Sequence, residues 1–154
     1  MPQRFIFSLE PVLDHRERVE DGRKRELASA QRAAMQAEAN RLQLIARRDA
    51  IRDQLQAAHG SLDAVELRSS YAHLDYLDRA IQAAAGRVAA ARSNEERARG
   101  MLIIATKDKK VLDTLKTRRR EAHDSEAAQA GQRELDDLNA RAFSRAHLKG
   151  SSPG

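Results

Sequence analysis

From Leu74 onward, apolar side chains recur at alternating steps of three and four residues. The series is Leu74, Leu77, Ile81, Ala84, Val88, Ala91, Glu95, Ala98, Leu102, Ala105, Lys109, Leu112, Lys116 and Arg119. Ten of these fourteen positions are apolar, and the repeat holds for more than five heptads. A sustained repeat of this kind marks a helix that buries one narrow stripe against another helix. The first third of the chain follows the same spacing through Leu9, Leu13, Leu27, Ala30, Ala34, Ala37, Leu44, Ile51, Leu55, Ala58 and Leu62. There the stripe is interrupted by Arg16, Glu20, Arg23, Arg41 and Arg48. The pattern predicts two long helices.

The best break between them is the stretch AAHGSLDAVE. Gly60 suits the left-handed conformation that closes a helix C-terminus, and Ser61 or Asp63 suits the cap of the next helix. No proline lies between Pro11 and Pro153 to stop a helix elsewhere. Ser8 is the expected N-cap of the first helix, with Pro11 tolerated because first-turn amides have no intrahelical acceptor. A helix from Leu9 to Ala58 would run for about 75 Å. A connection so short folds the helices back antiparallel, and places Leu9 near residues 112–116. The expected fold is therefore all-α: a long antiparallel two-helix coiled-coil hairpin over residues 8–145, turning near 59–64, with the second helix overhanging. An N-terminal extension (1–7) and a flexible C-terminal tail (146–154) flank it.

Composition agrees with this architecture. Charged residues make up 33% of the 154 residues and aromatics 3%, a profile of long helices rather than of a layered core. Disorder, the competitor at such low hydropathy, predicts no stripe. With no cysteine there is no disulfide framework or thiolate metal site, which fits a reducing compartment. The N-terminus shows no leader-like apolar run, and no window is apolar enough to span a membrane. A cytosolic protein is expected.

The net charge of +5 is concentrated in one place: Lys107 to Arg120 holds seven basic residues against Asp108 and Asp113, and the rest of the chain balances. A basic helix can lie along phosphates. This one has no aromatic side chain for stacking and two interrupting carboxylates, so a solvated face or a contact to an acidic protein groove accounts for it better, and no nucleic-acid partner is expected. Catalysis has little support. The histidines at 15, 59, 73, 123 and 147 are dispersed, the familiar phosphate-binding, zinc and nucleophile-elbow motifs are missing, and a two-helix hairpin offers no water-excluding pocket. No catalytic residue, cofactor or metal is expected.

Of five aromatic rings, Phe5 and Phe7 fall just ahead of the first helix, at the open end of the hairpin beside the basic segment. They serve either as a clasp closing the end of the seam or as a hook for a partner.

The segment F-x-F-x-L-E-P-V-L-D-x-R-E-R at 5–18, KRELA at 24–28, YLDRAI at 76–81 and ATKDKKVLDTLK in the second helix resemble the flagellar export protein FliJ family. The likeness covers roughly residues 4–145. It implies a non-enzymatic stalk-like coiled coil of the flagellar type III export apparatus, similar to the central stalk of rotary ATPases. Its open end would bind the hexameric export ATPase and promote its assembly. Its middle would contact the cytoplasmic domain of the export gate membrane protein, and it would escort export chaperones, all at the cytoplasmic face of the membrane at the flagellar base. Carried onto this chain, the ATPase-binding end comprises Phe5, Phe7, Leu9, Leu13, Arg118, Arg119 and Arg120. The gate-binding patch comprises Leu44, Arg47, Ile51, His73, Leu77 and Ala80. Leu44, Ile51 and Leu77 also fit the seam, whereas Arg47 and Ala80 do not. The family often carries aromatics near Arg47, Ile51 and His73, where this chain has only Tyr71 and Tyr76 nearby. The stalk protein of a virulence-type secretion system and a generic coiled-coil or nucleic-acid-associated scaffold are the alternatives. The FIFSLEPVL element favours the flagellar family.

Overall fold

Ala, Leu, Glu, Gln and Arg dominate the chain, and each loses little on entering a helix. In the computed structural model, which describes residues 3–58 and 60–151, they form two helices: α1, Glu10–Ala57, and α2, Ala64–Gly150. The two pack against each other as an all-α helical hairpin. His59, within the expected turn, and positions 1–2 and 152–154 lie outside the described residues.

The helix ends follow from local chemistry. At the start of α1 the Glu10 amide donates to the Phe7 carbonyl (3.1 Å), the Leu13 amide donates to Leu9 (2.9 Å), and Pro11 has no amide to satisfy. Ser8 is therefore not the cap. Its hydroxyl accepts instead from Arg119 at 3.2 Å. At the far end, Gly60 adopts φ +82°, and Ser61 donates to the Ala58 carbonyl through both its amide (3.0 Å) and its hydroxyl (2.8 Å). Asp63 opens α2. Its carboxylate accepts from the Glu66 amide at 2.8 Å while Glu66 accepts from the Asp63 amide at 3.2 Å, a reciprocal capping box. Helix α2 then continues to Gly150, so positions 146–150 are helical where the sequence suggested a flexible tail.

Contacts divide the chain into two bodies, Glu17–Lys107 and the pair of segments Met1–Arg16 with Asp108–Gly154. In the first, Ala34, Leu74, Leu77, Ala84, Val88 and Ala105 are buried, and Leu44, Ile51, Leu55, Ile81 and Leu102 are half-buried. Every α2 position of the three-four repeat in this body is at least half-buried. The basic residues that interrupt the α1 stripe also lie on it, half-buried, with their heads turned to carboxylates. Arg23 reaches Glu26 (2.9 Å), Arg41 reaches Glu38 (2.9 Å), and Arg48 reaches Asp49 (3.1 Å) and, across to α2, Asp78 (3.7 Å). Their aliphatic stems line the seam while the guanidinium groups stay wet. Glu20 is buried on the stripe and takes an ion pair from Lys24 at 3.1 Å; this hydrogen bond and charge hold the Lys24 ammonium above its ordinary range.

In the second body α1 and α2 also run antiparallel. Arg16 pairs with Asp108 (3.4 Å), Glu10 with Lys116 (2.9 Å), and Ser8 with Arg119. Leu13 is buried between them, and Leu9, Leu112 and Leu115 are half-buried. From Asp124 to Ser151 every residue is exposed.

Candidate partner-binding surfaces

The residues ahead of α1, 3–9, form an N-terminal strap held to α2 by its alternating side chains. Burial alternates along it: Phe5 and Phe7 turn towards α2 and Ile6 turns to solvent. Phe7 is only 5% exposed and lies under the Arg119 guanidinium, 5.7 Å from its ring centre. Phe5 is half-buried against His123, ring centres 5.6 Å apart and tilted by 56°. The His123 Nδ1 beneath this contact is buried without a hydrogen-bond partner, and the nearest carboxylate oxygen, on Asp124, is 3.6 Å away.

These contacts sort the residues expected at the open end. Phe7 and Leu13, the latter 2% exposed, are covered by their own chain and hold the tip together. Leu9 and Phe5 are half-buried. Arg118, Arg119 and Arg120 are all exposed, with Arg119 engaged by Phe7 and Ser8. The most accessible apolar side chain of the strap is one that the sequence reading passed over: Ile6, at 82% exposure. The Phe-Ile-Phe alternation carried that signal.

The second set lies in the body Glu17–Lys107. Leu77 is 2% exposed and belongs to the seam, with Leu44 and Ile51 half-buried on the same stripe. Arg47 and His73 are exposed and Ala80 half-buried; by heptad position these three share one edge of the seam. His73 stacks on Tyr76, ring centres 6.3 Å apart and 10° from parallel, which places an aromatic pair on α2 close to where the resemblance leads one to expect aromatics. The opposite edge is an open groove lined by Arg52, Leu55, Gln56, Tyr71, Asp75 and Asp78, which the sequence reading did not identify as a site.

Among the described residues no three His, Asp or Glu side chains come together to hold a metal ion, and no helix is long and apolar enough to cross a membrane. The surfaces can bind by shape, charge and apolar contact.

A family match over nearly the whole chain decides between the assignments open to such a hairpin. The sequence model of the family described as flagellar FliJ protein matches residues 5–148. The chain belongs to the FliJ family. It is thereby a component of the flagellar export apparatus, in a family that is non-enzymatic. No curated protein and no solved structure matches the chain. The match begins at Phe5, so the strap is part of the family pattern, and it runs to Leu148, well past the end of the α1–α2 seam.

Proposed function

We propose that this FliJ-family chain is the stalk that couples the hexameric export ATPase to the export gate. Its strap-and-arginine tip engages the ATPase and promotes ring assembly. The edge bearing Arg47, His73 and Ala80 meets the cytoplasmic domain of the gate protein, and the chain passes export chaperones between cycles at the cytoplasmic face of the flagellar base. The observation that supports this reading best is the division of labour at the tip. Phe7 and Leu13 are covered and fix the strap, while Ile6 on the strap and Arg118 and Arg120 on α2 remain exposed at this end of the chain. An exposed apolar anchor and exposed guanidinium groups at one end of the chain suit an acidic, loop-lined opening of a ring protein. Purified export ATPase titrated with the full chain tests the proposal. Hydrolysis and the hexamer fraction rise together if it holds, and neither changes if the chain does not act on the ring.

A further inference from the structure

Beyond His123, which Phe5 covers, the hairpin seam has nothing left to cover. Prolonged at the same spacing, it would pass through His123, Glu126, Ala130, Arg133 and Asp137, which are mostly charged. Five small or apolar positions of the overhang, Ala128, Gly131, Leu135, Leu138 and Ala142, share a separate stripe roughly 140° round the helix at 100° per residue, while Phe143 and Leu148 lie off it. Leu135 and Leu138 at its centre are 53% and 60% exposed. This stripe is therefore not an extension of the hairpin. It is open to another occupant.

The charges on the overhang indicate which. Residues 121–137 carry six carboxylates (Glu121, Asp124, Glu126, Glu134, Asp136, Asp137) against the single Arg133, whereas residues 138–150 carry Arg141, Arg145 and Lys149 and no carboxylate. The helix is acidic on one side of its Leu pair and basic on the other. A second copy laid alongside in the opposite direction matches acid to base at both ends, while a copy laid parallel sets acid on acid.

We propose that two copies of this chain associate through an antiparallel pairing of residues 121–150. With the two-fold axis between Asp136 and Asp137, the layers follow directly. Leu135 packs on Leu138 of the second copy, Gly131 faces Ala142 where the missing side chain permits close approach, and Ala128 lies under the stem of Arg145. The outermost layer sets Asp124 against Lys149, and Glu134 flanks Arg141. Each layer occurs twice by symmetry. Phe143 stays outside the interface, stacked on His147 of its own helix at 6.2 Å. With only four leucines in contact the pairing is reversible and weakened by salt. This inference does not rest on the ATPase reading, and its test contains no ATPase.

Sedimentation equilibrium at low salt measures it. The full chain moves from monomer to dimer mass as concentration rises, and less so at high salt. Glu134→Arg and Arg141→Glu each bring like charges together, so either variant alone stays monomeric at concentrations where the parent pairs. Mixing the two variants restores a heterodimer, because each then supplies the charge that the other lacks. The overhang lies outside the hairpin seam, so circular dichroism melts of the variants match the parent. The chain contains no cysteine, and orientation is read by oxidising Asp124→Cys with Lys149→Cys: the mixture forms the disulfide and Asp124→Cys alone does not. A parent that remains monomeric at its highest soluble concentration, variants that fail to rescue each other, or cross-linking of Asp124→Cys with itself overturns the proposal.

Discussion

The Arg119 guanidinium sits 5.7 Å from the centre of the Phe7 ring and donates to the Ser8 hydroxyl at 3.2 Å, so one side chain of α2 both roofs the strap and ties down the residue that follows it. Phe7→Ala removes the buried ring and the surface on which Arg119 rests. A fully buried Phe truncated to Ala costs about 3–5 kcal/mol, and a thin seam that relaxes into the gap falls at the lower end. The loss is local. Amide exchange accelerates at residues 9–13 and 112–119 while the seam around Leu77 keeps its protection. Equal acceleration along both helices contradicts a clasp.

Leu77 and His73 stand four residues apart on α2 with opposite exposures, one buried in the seam and one in solvent. Leu77→Ala destabilises the hairpin by about 2–4 kcal/mol in denaturant melts, and His73→Ala, whose stacking on Tyr76 is exposed, shifts the midpoint little. If the gate patch is the edge with Arg47 and His73, the order reverses for gate binding: His73→Ala weakens it at unchanged stability. A Leu77→Ala variant as stable as the parent shows that the seam register is misassigned.

The turn carries two independent devices. Gly60→Ala forces a side chain into φ +82° and costs about 1–2 kcal/mol, although nothing crowds the position. Asp63→Ala removes the acceptor for the Glu66 amide and costs about 1 kcal/mol. The double variant adds the two losses only in part, because both act on one connection. Thermal melts of the three variants check this.

Arg48 occupies a seam position, 24% exposed along its side chain, with a loose 3.7 Å contact to Asp78. Such a pair contributes roughly 0–1 kcal/mol, less than an apolar side chain adds when buried at the same place. Arg48→Leu therefore raises the melting temperature. A fall would mean that the guanidinium, and not its stem, stabilises the seam.

Much of this was legible in the chain. The three-four repeat names the seam because a helix pair buries only the positions that recur at that spacing, and even the interrupting Arg16, Arg23, Arg41 and Arg48 keep to it. Gly60 and Asp63 were readable because turn and cap chemistry depends on few neighbours. Ser8 was misread because its local preference for capping lost to a contact with Arg119, more than a hundred residues away in sequence. The helical course of 146–150 was missed because an overhang without a covering partner leaves no seam to follow. In the candidate site, residue types suggested Phe5 and Phe7 as anchors. Their burial, and hence the prominence of Ile6, depends on which side of the strap meets α2.

The tip is the proposed ATPase-binding surface, and a pair of variants tests it directly. Ile6→Ser and Arg118→Ala/Arg120→Ala alter exposed groups only, leaving Phe7, Leu13 and Arg119 in place. Binding to the export ATPase hexamer is measured for both at low and high salt, alongside helix melting. If the tip binds the ring, melts are unchanged, Ile6→Ser loses affinity independently of salt, and the arginine variant loses affinity strongly at low salt and less as salt screens the parent. Parental affinity for both variants at both salt concentrations contradicts it.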